Sequence, residues 1–189
     1  MRGIKYYQIP STLLSMVDSS IGGKTGINIA EGKNLIGSIY QPKGVFIDPD
    51  LLHTLPNTEL ISGLGEIIKY GAIYDEKFLD QVSSWLEDIH SFPYERAIKR
   101  SCQIKADIVS KDEREQGIRK ILNFGHTIGH AIEAVMGYGK IRHGEAISKG
   151  MECAGWISNK LGLLSKKDKD YLQETIEKLP LPRIGNIQT

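Results

Sequence analysis

The pattern of apolar and polar positions changes character near residue 57. Upstream, short apolar runs are broken by Gly and Pro, as in STLLSMV, TGINIAEGKNLIG and GVFIDP. GVFIDP predicts a short buried strand ended by Pro49, and GKNLIG predicts turns. Downstream, apolar residues recur at helical spacing. Leu60, Ile61, Leu64, Ile67 and Ile68 form one face of a first helix, capped by Asn57 or Thr58. Further helices are predicted over Asp75 to Asp88, from Pro93 to about Ser110, over roughly Arg119 to Met136, after His143 and after Ser165. The fourth of these ends at the Gly137/Gly139 turn. The fold class that follows is an α/β remnant over 1–57 joined to an all-α region over 58–189, with the boundary near Pro56.

Composition narrows the partners more than the fold. A formal net charge of +1 over 189 residues gives no electrostatic case for nucleic acid or an acidic membrane surface. No apolar run reaches the ~18 residues of a membrane span. Cys102 and Cys153 are isolated, which argues against a disulfide framework and fits a reducing cytoplasm.

Several polar residues sit at spacings that call for an explanation. On a continuous fourth helix, Arg119, Asn123, His126 and His130 fall on one narrow stripe, at about 100° per residue. Ile121, Phe124, Ile128, Ala131 and Val135 take the opposite face, toward the core. A solvated stripe is the plain alternative, but such faces usually carry Lys and Glu. Gly125 and Gly129 each cost roughly 1 kcal/mol against Ala in a helix, which makes sense where another backbone or a ligand comes close. His143 follows soon after, so three of the five histidines lie within eighteen positions. Two imidazoles and a carboxylate make a catalytic-type metal site with an open position. Glu66, in GLGEIIKYG, is the candidate carboxylate; a surface ion pair with Lys69 is the alternative. H-T-I-G-H is not the zinc-protease motif, because no Glu follows the first His. Lys105 lies on an apolar face with Ile98, Ser101, Cys102, Ile108 and Val109, so it must snorkel, shift its pKa or find an anion. DSSIGGKT, Asp18 to Thr25, nearly matches a P-loop, but the flanking pattern is wrong. An anion-binding Gly-rich loop with Lys24 as a point charge is the better reading.

Taken together, IPSTLLSMVDSSIGGKTGIN, GKNLIGSIYQP, GLGEIIKYG, KADIVSKDEREQGIRKILNFGHTIGHAIE and HGEAISKGM resemble the 3-dehydroquinate synthase family. The resemblance runs in order from about Gln8 to Pro182. It implies conversion of 3-deoxy-D-arabino-heptulosonate 7-phosphate to 3-dehydroquinate and phosphate, with NAD used catalytically and a divalent metal, zinc or cobalt. It also implies a cytoplasmic homodimer with an α/β NAD domain and an α-helical metal domain. By motif, Glu66, His126 and His143 look like the metal ligands, and His130 like a proton-shuttling histidine. Asp18, Lys24, Asn34, Lys69, Lys105, Arg119 and Asn123 match substrate-holding positions. Ser11, Thr12, Lys24 and Lys33, with Leu51, Leu52, His53 and Thr54, match positions near NAD.

Two segments of the family pattern are missing from this sequence: the Gly-rich dinucleotide loop and a C-terminal Asp-Lys-Lys segment. The resemblance therefore implies a fragment that alone binds NAD weakly and turns over poorly, with a separate chain as one source of the missing portion. The rival readings are another sugar-phosphate cyclase, a metal-dependent polyol dehydrogenase, and a non-catalytic metal-binding remnant.

Overall fold

Helix α1 (Asn57–Tyr74) is buried without interruption from Ser62 to Gly71, so neighbours surround it on every side. The single apolar stripe expected from Leu60 to Ile68 is thus one part of an all-round contact. Nor does Asn57 or Thr58 cap the helix: Pro56 precedes it and no side chain caps it. The computed structural model describes residues 4–29, 32–137 and 140–181, apart from the side chains of residues 28 and 32–35. The predicted turn at Gly139 lies outside the described residues.

Around α1 pack α2 (Glu76–Trp85), α3 (Tyr94–Lys111), α4 (His126–Met136), α5 (His143–Lys160) and α6 (Lys166–Glu177). Their starts follow local chemistry. Asp75 accepts the Phe78 N–H at 3.1 Å, and Ser165 accepts that of Asp168 at 3.0 Å. These are side-chain caps that satisfy otherwise orphaned donors. Leu64, Ile67 and Ile68 of α1 share one core with Phe78, Val82, Ile104, Ile108, Ile147, Met151 and Ile176. Among the described residues no helix is long and apolar enough to cross a membrane.

The first third differs from its predicted form. TGINIAEGKNLIG makes an antiparallel hairpin of β2 (Lys24–Ile29) and β3 (Gly32–Ile39), not a run of turns. A Cβ on Gly37 would lie 1.9 Å from the Thr25 carbonyl oxygen, so the close pairing needs glycine there. β1 (Tyr7–Gln8) and β4 (Gly44–Val45) form a two-residue parallel pair. The strand expected in GVFIDP is therefore short, and Phe46 just beyond it is 60% exposed instead of buried. Leu13, Met16 and Val17, around a π-helical turn at Ser15–Ser19, tie this region to the helical core.

Candidate active site

Two close helix crossings place the polar side chains. Where α1 meets α5, the Gly144 N–H donates to Ser62 Oγ at 3.0 Å. A Cβ on Gly144 would sit 1.8 Å from the Ser62 carbonyl oxygen, so only glycine permits this approach. The crossing sets Glu66 of α1 beside His143, the first residue of α5. The Arg142 N–H donates to Glu145 Oε2 at 3.0 Å and fixes where α5 begins. Where α4 meets α5, a Cβ on Gly150 would lie 2.0 Å from the Gly125 carbonyl oxygen.

The same crossing breaks the fourth helix. Gly125 has φ +78°, a left-handed conformation that separates a 3₁₀ turn at Ile118–Asn123 from α4. The continuous stripe from Arg119 to His130 therefore does not exist as one helix face. The expected apolar face holds only in part: Ile121 and Phe124 pack against the core, whereas Val135 is 68% exposed and the buried positions of α4 are Gly129 and Glu133. The glycines were correctly read as a place of close approach, and the partner is the backbone of α5.

Glu66 is fully buried, with Oε1 3.6 Å from Nε2 of His126 and 3.6 Å from Nε2 of His143. Those separations exceed a hydrogen bond, and neither carboxylate oxygen has a hydrogen-bond partner. Oε2 pairs with Lys69, which is also buried. The surface pair considered for Glu66 and Lys69 is thus an interior one. Burial pushes the Glu66 carboxyl up, but Lys69, His143 and His126 together pull it down to about 2. His126 Nδ1 lies 3.2 Å from the Phe124 carbonyl, which can only accept; the proton is on Nδ1 and the Nε2 lone pair faces Glu66. Burial also lowers the His126 pKa, keeping that ring neutral. For His143, burial pulls down but Glu66 and Glu133 push up, and the net direction is up. One donor atom from each of Glu66, His126 and His143 lies within 4.8 Å of the others. A buried anionic oxygen with no hydrogen bond, facing two imidazole nitrogens, suits a divalent cation.

Beside this cluster opens a cleft of about 670 Å³. Asp18, Lys24, Lys69, Lys105, Arg119, Asn123, His126 and His130 line it. Lys105 is the apolar-face lysine, and its anion is Asp18: Nζ donates at 2.6 Å to both Oδ1 and the backbone carbonyl. Tyr70 adds its hydroxyl to Asp18 Oδ1 at 2.7 Å. Burial works against the Asp18 charge, yet Lys105 and Lys69 hold its carboxyl well below the usual range. Arg119 is 1% exposed and donates through Nη2 to the Gly22 carbonyl at 2.8 Å, while its Nε is unpartnered. Glu115 ties two cleft residues together, accepting from Asn123 Nδ2 at 2.7 Å and pairing with Lys24. Lys24 starts a strand, not a helix, so the P-loop arrangement is not formed. The His130 ring stands 5.5 Å from that of His126 and 5.8 Å from that of His143.

The remaining predicted residues lie elsewhere. Thr12 is hydrogen-bonded to Ser15 beside the exposed Ser11. Leu51, Leu52, His53 and Thr54 belong to a 3₁₀ turn, with Leu52 in the core. None of these six residues lines the cleft. Lys33 and Asn34 are on β3, and their side chains lie outside the described residues. Three residues escaped the sequence reading: Tyr70, Glu115 and Glu133. Glu133 follows His126 by seven positions and His130 by three, helical spacings like those of the polar stripe, and is open to detection. Glu115 sits in a loop at φ +60°, where no periodicity marks it.

Residues 63–189 match the family described as 3-dehydroquinate synthase C-terminal, and residues 1–62 match 3-dehydroquinate synthase N-terminal. The two matches meet inside α1. The 3-dehydroquinate synthase of Alkaliphilus metalliredigens is 55% identical over 177 residues, covering 92% of this chain and 49% of that protein. That of Aliivibrio fischeri is 50% identical over 184 residues, covering 96% and 51%. The chain thus spans about half the length of the curated relatives it matches. Among solved structures, 2-epi-5-epi-valiolone synthase from Streptomyces hygroscopicus, with NAD+ and Zn2+ bound, superposes with TM-score 0.89 at 27% identity, over 100% of this chain and 53% of that one. A 2-deoxy-scyllo-inosose synthase complexed with carbaglucose-6-phosphate, NAD+ and Co2+ gives TM-score 0.87 at 30% identity, over 100% and 52%.

Proposed function

Since this chain belongs to the 3-dehydroquinate synthase family, we propose that it supplies the metal centre and anion cleft for conversion of 3-deoxy-D-arabino-heptulosonate 7-phosphate to 3-dehydroquinate and phosphate. The observation that carries this reading is the buried Glu66 carboxylate, whose Oε1 faces two imidazole nitrogens at 3.6 Å without a hydrogen bond. Glu66, His126 and His143 would hold zinc or cobalt, the metals named for the structural neighbours.

When bound, the metal acidifies a substrate hydroxyl and NAD takes up and returns hydride. The chain's own groups do the rest. Lys24, Lys69, Lys105 and Arg119 give the cleft the cations that a substrate with both carboxylate and phosphate requires. Asp18 is held ionised by Lys105, so its second oxygen is available to a substrate hydroxyl. Asn123 offers an amide donor in the cleft, and Asn34 is a further substrate-contact candidate by the family motif. His130, exposed at the rim and close to both metal-site histidines, moves protons between substrate and solvent. Glu115 keeps Lys24 and Asn123 in place at the far wall. Ser11, Thr12 and the exposed Leu51, His53 and Thr54 of the turn around Leu52 would contact NAD from outside the cleft, Lys33 is a further NAD-contact candidate by the family motif, and Lys24 would reach both ligands.

The NAD-domain remnant is assigned to 1–57 and the metal- and substrate-binding domain to 58–189, a boundary one residue into α1. The same reading includes a cytoplasmic homodimer, with the rest of the nucleotide-binding domain supplied by further sequence or a separate chain. Alone, the chain would bind NAD weakly and turn over slowly or not at all. The structural neighbours, a 2-epi-5-epi-valiolone synthase and a 2-deoxy-scyllo-inosose synthase, favour a second reading, a cyclase for another sugar phosphate. The curated relatives, 50% identical or more, favour the first. The test joins the chain to a nucleotide-binding half from a relative and follows phosphate release. Release from 3-deoxy-D-arabino-heptulosonate 7-phosphate, with dehydroquinate formed, is expected. Release from a hexose 6-phosphate alone would favour the second reading, and no release from either would count against both.

A further inference from the structure

Glu133 is a charged residue in an unexpected place. It is 6% exposed and, with Gly129, is one of the two buried positions of α4. Glutamates are almost never fully buried unless paired. Its Oε1 lies 3.6 Å from Nδ1 of His143, an ion-pair distance. The opposite nitrogen of the same ring, Nε2, lies 3.6 Å from Oε1 of Glu66. The His143 imidazole therefore sits between two buried carboxylates, one facing each nitrogen. His126 has a comparable arrangement, with the Phe124 carbonyl at Nδ1 and Glu66 toward Nε2. Each ring thus has an acceptor behind it and the shared carboxylate in front. The two acceptors differ in kind, one a neutral carbonyl and the other an anion.

We infer that Glu133 is a positioning residue: from ion-pair distance, longer than a hydrogen bond, its carboxylate favours the proton on Nδ1 of His143 and so leaves the Nε2 lone pair for the metal position beside Glu66. This rests on the metal-centre reading above. An acceptor behind a ligating imidazole fixes its tautomer and orientation and raises its basicity. An anion acts on that proton through its charge even beyond hydrogen-bond distance, which a neutral carbonyl does not. The two rings are then unequal ligands, with His143 the more strongly donating. His130, Glu133 and His143 also bring donor atoms within 4.8 Å of one another. A second ion there would have to take the Nδ1 face of His143. The positioning role instead predicts one ion per chain and that face used for a proton.

The test compares the wild-type chain with Glu133→Gln and Glu133→Ala. Competition with a chromophoric chelator gives the affinity for zinc and the number of ions bound. The alanine variant should bind one ion about 10–100-fold more weakly. Glutamine, which keeps an acceptor oxygen but not the charge, should restore part of that loss. Cobalt absorption should shift in the alanine variant while its stoichiometry stays at one. In the metal-free chain at alkaline pH, nitrogen NMR should show the His143 proton on Nδ1 in the wild type and mixed tautomers in the alanine variant. Unchanged zinc affinity in both variants, or two ions in the wild type, would overturn the inference and leave the metal centre standing. A wild-type chain that binds no zinc would overturn the metal centre itself.

Discussion

In the helical region, Leu64, Ile67, Ile68 and Ile147 are fully buried, and so are the charged Glu66 and Lys69. In the β-region, Ile4, Tyr7, Ile9, Ile27, Ile36 and Phe46 are between 57% and 71% exposed. The first region closes a core within one chain and hides its charges inside it. The second presents short paired strands whose apolar side chains find little to cover them. The difference separates two requirements. A metal site needs donors held rigidly by packing, which α1, α4 and α5 provide at glycine-lined crossings. A nucleotide site in an α/β fold lies against a parallel sheet, and the parallel pair among the described residues, β1 with β4, is two residues long beside an antiparallel hairpin.

The contrast is most exposed to attack at Asp18 and Lys105, where the two regions meet. Lys105→Met should leave the Asp18 charge without its main partner and cost about 3–5 kcal/mol in urea unfolding. The acid limb should change as well. Asp18 has its folded pKa below the unfolded value of 3.8, so its contribution is present above that pH and is lost as pH falls below it. In the methionine variant, stability should fall less steeply across that acid range. A variant as stable as the wild type would show that the Asp18–Lys105 pair does not join the regions.

Next in size is Gly150→Ala at the α4–α5 crossing. The added methyl would lie 2.0 Å from the Gly125 carbonyl oxygen, and backbone cannot yield as a flexible side chain does. A loss of about 3 kcal/mol is expected, with zinc affinity reduced because His126 and His143 separate. Full stability by calorimetry would mean that the crossing is looser than described. The smallest change is on the hairpin. Ile27→Thr should alter stability by no more than about 0.5 kcal/mol, since the side chain is already exposed. Sedimentation should nonetheless show less self-association, because the exposed apolar area open to contact between copies is reduced. A large loss of stability would instead show that the hairpin is part of the core.

Much of this contrast can be seen in the sequence. Asp75 and Ser165 cap helices as their residue types and positions suggest, and Lys105 on its apolar face must snorkel, shift its pKa or find an anion, of which the structure takes the last. Gly125 and Gly129 signal a close approach. Local pattern does not reveal which backbone approaches, because α5 arrives from a distant part of the chain. For the same reason the helix break at Gly125 is hidden: its left-handed turn suits a contact with Met151 and Ile147 that no local pattern encodes. The β2–β3 hairpin is missed because Ile27 and Ile36 face away from the core, leaving no one-sided pattern to distinguish strands from turns. Glu66 is visible as a candidate, but its complete burial depends on three helices packing around it.

The central claim is that Glu66, His126 and His143 form one metal centre, and zinc titration of the wild-type chain beside Glu66→Gln, with His130→Ala as a control, tests it most directly. The account predicts one ion per chain, an affinity loss of more than about 100-fold for Glu66→Gln, beyond the range of an outer-shell change, and little loss for His130→Ala. Equal zinc affinity in the wild type and Glu66→Gln would contradict it.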